Sequence, residues 1–254
     1  MVSDRGIHPA WQGWLMQPEG HSPLGMQPPG DSPPEMHPLA RLIADAAVGR
    51  FPAVDGGWRR VPPWRPGLAG IIAFTGHAVL ALAPDIADQR LVELGVNGLG
   101  GAHDPRVIAA LAGPDGWIDS LDVLLAGRGT AAAPAVAGPR LVARPDLASH
   151  HRALFAAKIR HRPRVLGYPD RRRSAVVVFS RGLAGLTELG FELEPERRGS
   201  GGGVTLIRDA LSTVPAGQLV IAAVAPGNAA GLRAVLAAGF TPIGSIQLFR
   251  RADS

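Results

Sequence analysis

The stretch RRGSGGGVTLIRDAL, residues 197–211, decides the fold of the second half of the chain. Two arginines precede four glycines and a serine, and an amphipathic run follows them. Glycine lets the backbone come close to a bound group, and the first amides of a helix have no intrahelical acceptor and carry the positive end of the helix dipole. The stretch therefore predicts an anion site at the mouth of a helix that begins near Val204.

Two common phosphate loops do not fit this stretch. A P-loop needs a lysine directly after its last glycine, whereas the only lysine of the chain is Lys158, on another element. A dinucleotide fingerprint would need glycine in place of Val204 and an acidic residue after the next strand, where Ala225 and Pro226 follow Val224.

A third pattern fits on both sides of the loop. RGSGGG, residues 198–203, followed by VTLI, resembles the acetyl-CoA loop of the GNAT superfamily of N-acetyltransferases. FELEP, residues 191–195, resembles the end of the family's preceding strand. The match continues downstream, since residues 228–240 read NAAGLRAVLAAGF and have asparagine, glycine and phenylalanine in the family's register. The resemblance covers about residues 139–250 and implies the order β-α-β-β-β-α-β-α-β.

The resemblance implies a fold and a set of binding residues. The fold is α/β (α+β), a GNAT acyl-CoA N-acyltransferase fold with a central mixed, mostly antiparallel sheet that opens between the strand at 186–194 and the strand at 219–224. The pantetheine arm of the cofactor would lie in that gap and pair with the strand end. The implied cofactor-binding residues are Leu193, Arg197, Arg198, Gly199, Ser200, Gly201, Gly202, Gly203, Val204 and Asn228; a simple helix N-cap explains Asn228 equally well.

The resemblance also implies catalytic groups. An amine acceptor must lose a proton before it attacks, and family members often use a glutamate on the strand before the loop. Glu188 is the first candidate, because it lies ten residues before Arg198, and Glu192 is the second; both also suit an ordinary solvent-facing strand. The family's tyrosine in the last helix, which protonates the leaving thiolate, is replaced by Val235, and the sole tyrosine is Tyr168.

These residues predict an acetyl-CoA-dependent N-acetyltransferase that transfers the acetyl group directly to an amine acceptor of unknown identity. Acetyl-CoA would be a co-substrate. The chain has no cysteine, which excludes a covalent cysteinyl intermediate. The alternative from another class is a non-catalytic acyl-CoA-binding regulatory protein with a GNAT-like fold.

Composition bears on the binding partners and the cellular location of the protein. The 254 residues contain 26 Lys and Arg against 21 Asp and Glu, and the net charge of +5 is modest, so we expect no nucleic-acid partner. The arginine, glycine, proline and alanine content is typical of a GC-rich bacterial genome. No apolar run is long enough for a membrane span. The absence of cysteine favours a cytoplasmic location. The sequence leaves self-association as a homodimer open.

The chain divides into four segments by composition. We expect a disordered leader over 1–37, a small α/β unit of unknown role over 38–130, a linker over 131–138 and the acyltransferase domain over 139–254. In the smaller unit the pattern predicts a helix directly after Met36, a strand pair turning near Gly76, and a helix capped by Asp104. In the domain, Asp146 is expected to cap a helix that ends near Arg160. No metal site is expected, because His77 and His103 have no second ligand at a working spacing.

Overall fold

The computed structural model describes residues 36–131 and 140–252. The predicted leader, apart from Met36 and His37, and the predicted linker, apart from Ala131, lie outside the described residues. None of the described helices is long and apolar enough to cross a membrane.

The described residues form eleven strands and six α-helices. The helices are α1 (Pro38–Ala46), α2 (Asp88–Glu93), α3 (Pro105–Ala112), α4 (His151–Ile159), α5 (Gly202–Leu211) and α6 (Ala229–Ala237). The strands are β1 (Trp58–Val61), β2 (Ala69–Phe74), β3 (His77–Ala81), β4 (Trp117–Ile118), β5 (Asp122–Arg128), β6 (Val142–Ala143), β7 (His161–Gly167), β8 (Val176–Arg181), β9 (Thr187–Glu192), β10 (Leu219–Val224) and β11 (Thr241–Arg250).

All these strands join one mixed sheet. Its order is β1-β3-β2-β11-β5-β10-β9-β8-β7-β6, and the short β4 pairs with β11. The β1–β3 and β9–β10 pairs are parallel, and the other pairs are antiparallel. From residue 142 the elements follow the order β-α-β-β-β-α-β-α-β. The prediction of an α/β fold with a mixed, mostly antiparallel sheet is therefore confirmed.

The two halves of the chain interleave within this sheet. β5, from the first half, lies between β10 and β11 of the second half, and β11 in turn pairs with β2 of the first half. Residues 36–254 form one compact unit. Each half thus supplies a strand that is hydrogen-bonded to strands of the other half, while the division into a small unit over 38–130 and a domain over 139–254 stays a prediction.

The sheet opens between β9 and β10. The two parallel strands pair only at Thr187 with Val220 and at Glu188 with Ile221. Beyond these positions the described strands share no ladder, and the backbone groups of β9 that face β10 lack a strand partner. The gap is the one that the sequence resemblance implied.

Helices cover both faces of the sheet beside this gap. Because successive strand residues point to opposite faces, Val220 and Ala222 pack under α5 and α6, with Leu206 and Val235 in the same core. Ile221 faces the other side and shares a core with α1. Leu206 and Val235 are fully buried, and each such side chain stabilises the fold by about 1.5–3 kcal/mol relative to exposure.

The N-terminal caps of α1 and α3 agree with the local sequence pattern, and the cap of α4 does not. His37 and Asp104 accept hydrogen bonds from the amides of Leu39 and Arg106, so α1 and α3 begin as predicted. Asp146 does not cap α4. Its carboxylate instead accepts hydrogen bonds from the Arg144 guanidinium, which makes the carboxylate unavailable to the helix, and the His150 side chain caps α4.

Candidate functional site

A cavity of about 1460 Å³ runs through the gap between β9 and β10. One end is formed by the glycine loop and the first turns of α5 and α6. Residues of α4 and of the first half of the chain, among them Trp64, Leu68 and Leu124, also line the cavity. Nine of the residues proposed from the sequence line this cavity: Glu188, Glu192, Leu193, Arg198, Gly199, Gly201, Gly203, Val204 and Asn228. The remaining three, Arg197, Ser200 and Gly202, belong to the same loop but do not line it.

The glycine loop presents free backbone amides to the cavity. Gly199 and Gly201 both have φ +81°, a conformation that favours glycine, and a Cβ at either position would meet open space. The helix begins at Gly202, two residues before the predicted start. Among the described residues, the amides of Gly202, Gly203 and Val204 donate to no backbone or side-chain acceptor, as expected for a helix N-terminus. This end of the cavity can therefore bind an anion.

Gly202 and Gly203 also allow close packing between α5 and its neighbours. A Cβ at Gly202 would lie 2.9 Å from Leu193 Cδ2, and one at Gly203 would lie 3.3 Å from Ala234 Cβ. The absence of these carbons lets α5 approach the end of β9 and the flank of α6. Leu193 itself is buried under the loop.

Arg198 ties the loop to the end of β9. Its Nε donates to the Leu193 carbonyl at 3.2 Å, and its Nη2 donates to Glu192 Oε1 at 3.3 Å. The side chain remains 57% exposed, so its guanidinium can still meet a ligand. Ser200 Oγ donates to the Arg197 carbonyl at 3.1 Å, a contact that stabilises the turn.

Glu192 lies at the mouth of the cavity among cations. His151 Nε2 and Arg152 Nε lie 2.8 and 3.3 Å from its Oε2. Within the described ranges, His150, His151 and Glu192 are the one set of side chains whose ligand atoms could hold a metal ion, all within 4.8 Å of one another. A cation there would compete with Arg152 and Arg198 for Glu192, and the His150 Nδ1 already accepts the amide hydrogen of Arg152.

Glu188 lies inside the cavity and is only 7% exposed. Its Oε1 is 2.6 Å from Arg160 Nη2, and its Oε2 accepts a hydrogen bond from the Leu183 amide at 3.0 Å. A Cβ at Gly182 would overlap this carboxylate. Glu188 is therefore held by a cation, by a backbone amide and by a glycine that makes room for it.

The remaining predicted residues have clear structural contacts. Asn228 Oδ1 accepts a hydrogen bond from the Gly231 amide at 3.0 Å, so the side chain caps α6 while it also lines the cavity. Val235 is fully buried. The Tyr168 hydroxyl donates to Asp209 Oδ2 at 3.0 Å, and Tyr168 does not line the cavity.

Among the cavity-lining residues that sequence reasoning missed are Asp119, Asp122 and Arg160. Burial, together with repulsion from Asp119 and Glu188, raises the pKa of Asp122 to about 6. Burial also raises the pKa of Asp119. Asp122 is the first residue of the apolar strand β5, and Asp119 lies three residues before it. Nothing in the local sequence indicates that this strand lies beside β10.

No protein-family model matches the chain, and no curated protein sequence matches it. Part of the chain is similar to solved structures. A protein assigned to the GNAT family of acetyltransferases from Novosphingobium aromaticivorans matches 55% of this chain over 69% of its own length, with 19% identity and a TM-score of 0.36.

Two further solved structures show the same kind of similarity. A GNAT-family acetyltransferase from Colwellia psychrerythraea matches 53% of this chain with 14% identity and a TM-score of 0.33. A GCN5-related N-acetyltransferase from Kribbella flavida matches 60% with 15% identity and a TM-score of 0.33. This chain spans 57% and 64% of the length of these two proteins, which is less than two thirds.

Proposed function

We propose that this chain is an acetyl-CoA-dependent N-acetyltransferase that transfers an acetyl group directly to an amine. One observation carries the proposal: the gap between two parallel strands and a glycine loop with three free helix amides open into the same cavity. The loop end suits phosphate groups, because unpaired amides and the helix dipole favour negative charge. The gap suits an extended amide-containing arm, because it leaves backbone groups of β9 without a strand partner.

The residues of the glycine loop fit the phosphate groups of CoA. Gly199 and Gly201 leave open space where a side chain would otherwise stand, and Arg198 supplies an exposed guanidinium beside them. Charge-assisted hydrogen bonds from arginine to phosphate are stronger than neutral ones. With no cysteine in the chain, the acetyl group passes from sulfur to nitrogen without a cysteinyl intermediate.

A second function, acyl-CoA binding without turnover, is favoured by one observation. Val235 stands where the resemblance would place a thiolate-protonating tyrosine, and the Tyr168 hydroxyl is bonded to Asp209 outside the cavity. In an active enzyme, water or another residue must then protonate the thiolate. Thiol release from acetyl-CoA in the presence of a panel of primary amines separates the two functions, because a regulator would bind acetyl-CoA and release no thiol.

The glycine loop gives the sharpest test of CoA binding. We expect Gly201→Val to weaken CoA binding by about 10-fold or more, because the branched side chain fills the approach to the free amides. Gly217→Val is the matched control: Gly217 has φ +79°, a Cβ there also meets open space, and it lies outside the cavity. Both variants carry the same backbone strain, so calorimetry at equal folded fraction isolates the effect on binding. Equal CoA affinity in the two variants would show that the loop only caps α5.

A further inference from the structure

Four charged side chains of the cavity lie close enough to influence one another. Asp119 and Asp122 come from the first half of the chain, Glu188 from β9 and Arg160 from the end of α4, and all four line the cavity. On the sheet, Ala126 lies opposite Ile221, and Ile221 lies opposite Glu188. Asp122 is four residues from Ala126 along β5, so it shares the face of Glu188.

Glu188 is already engaged by the protein. The Arg160 guanidinium and the Leu183 amide occupy its two oxygens at 2.6 and 3.0 Å. Both oxygens therefore already accept hydrogens from the protein, and neither is left free to face an amine. Removal of its charge would also leave Arg160 buried without its ion pair.

Asp122 has the opposite surroundings. Among the described contacts, its one hydrogen bond is from Ser120 Oγ to Oδ1 at 2.8 Å, and no arginine, lysine or histidine forms an ion pair with it. Burial disfavours its charged form, and repulsion from Asp119 and Glu188 adds to this, so its pKa rises to about 6. Arg160 acts in the other direction but does not outweigh them. A base with a pKa near the working pH transfers protons efficiently.

We infer that Asp122, supplied by the first half of the chain, is the catalytic residue that takes the proton of the acceptor amine, and that Glu188 is a positioning residue that holds Arg160 and the turn after Gly182. This inference rests on the proposed acetyl transfer. It assigns the first half a chemical role in the cavity of the second half.

Asp122 carboxylate accepts one proton from the acceptor ammonium, and the neutral nitrogen attacks the thioester carbonyl carbon of acetyl-CoA. The carbon–nitrogen bond forms and the carbon–sulfur bond breaks, with the electron pair leaving on sulfur. The second nitrogen proton passes through water to the thiolate, which gives CoA thiol and the acetamide. Asp122 then releases its proton to solvent.

The test compares four full-length variants, Asp122→Asn, Asp119→Asn, Glu188→Gln and Asp115→Asn, in CoA binding and in thiol release with a panel of primary amines across pH 5 to 9. We expect Asp122→Asn to lower kcat by about 10²-fold, with CoA affinity unchanged, and to remove the rise in kcat near pH 6. Asp119→Asn should move that rise to lower pH, because the loss of a neighbouring negative charge lowers the pKa of Asp122. Asp115 lies in an exposed turn, and its variant should match the wild type.

The outcomes separate this inference from the proposed function. If Asp122→Asn keeps the wild-type rate and pH profile while CoA binding and transfer are normal, the inference is wrong and the transfer reaction stands. If the rise near pH 6 disappears only in Glu188→Gln, Glu188 is the base. If the wild-type chain binds no acetyl-CoA, or binds it and acetylates none of the amines, both the transfer reaction and this inference are overturned.

Discussion

Glu188 and Asp122 are carboxylates on one face of one sheet, and their neighbours give them different chemistry. Glu188 has a guanidinium and an amide hydrogen on its oxygens. Asp122 has a hydroxyl hydrogen and two neighbouring negative charges. Both oxygens of Glu188 are thus occupied by donors, whereas desolvation and repulsion disfavour the charged form of Asp122. Two carboxyl groups whose surroundings differ in this way are suited to different roles in one site.

The stability of Asp122→Asn should depend on pH. The pKa of Asp122 in the folded protein, about 6, exceeds the ordinary value of 3.8, so the folded state binds its proton more tightly than the unfolded state does. Stability is then lost as pH rises from about 4 to 6, and the charged group remains a cost above pH 6. We expect Asp122→Asn to melt at a higher temperature than the wild type at pH 7.5, with the difference narrowing near pH 4.

Asp115→Asn serves as the control for that measurement, since it removes an exposed carboxyl group elsewhere in the chain. Thermal unfolding followed by circular dichroism at both pH values is sufficient. A stabilisation of Asp122→Asn that is the same at pH 4 and pH 7.5 would contradict a raised pKa for this group.

At the scale of the element, the turn between β8 and β9 is built around the Glu188 carboxylate. Leu183 donates its amide to Glu188, and Ala184 within the turn has φ +52°, which is unusual for a residue other than glycine. A side chain at Gly182 would overlap the carboxylate itself. The sequence therefore couples a glycine, a glutamate and a strained turn.

We expect Gly182→Ala to destabilise the protein by about 2 kcal/mol, because the new methyl group must displace a buried, ion-paired carboxylate. Gly227→Ala is the matched control, since a Cβ there meets open space at an ordinary φ. In a Glu188→Ala background the cost of Gly182→Ala should fall sharply, since the overlapping group is gone. Urea unfolding of Gly182→Ala, Gly227→Ala, Glu188→Ala and the Gly182→Ala/Glu188→Ala double variant measures this coupling. Additive costs would show that the glycine serves the backbone alone.

The elements themselves were predictable from local pattern. Apolar periodicity gave the strands and helices from 142 to 250 in their correct order, and the glycine loop indicated the anion end of the cavity. Asp146 does not cap a helix because Arg144 donates hydrogen bonds to its carboxylate. A residue's helix-capping propensity does not take such a contact into account. β1, α2 and the two-residue β4 carry too little periodicity to be recognised. Asp122 was missed for a different reason: its role depends on which strand lies beside β5, and that pairing is not local.

At the scale of the whole molecule, the exchange of strands makes the two halves interdependent. β5 has β10 on one side and β11 on the other, and its residues Leu124 and Leu125 are buried in the cores of opposite faces. Without β5, β10 and β11 would each present an unpaired edge, which favours aggregation. The same exchange brings Asp122 to the cavity, so the fold and the proposed chemistry depend on one strand.

This arrangement predicts the behaviour of the separated halves. We expect residues 140–254 expressed alone to be insoluble or unfolded and to bind no CoA, because β10 and β11 lose the strand between them. Residues 36–131 alone should fail as well, since β2 loses its partner β11. Expressed together as two polypeptides, the halves should copurify as one species and bind CoA with an affinity close to that of the intact chain, because every strand pair of the sheet can form again. Size-exclusion chromatography and calorimetry measure both properties. If residues 140–254 alone were folded and bound CoA normally, the second half would be an independent domain, and the first half would contribute neither to the cofactor end nor to the stability of the sheet.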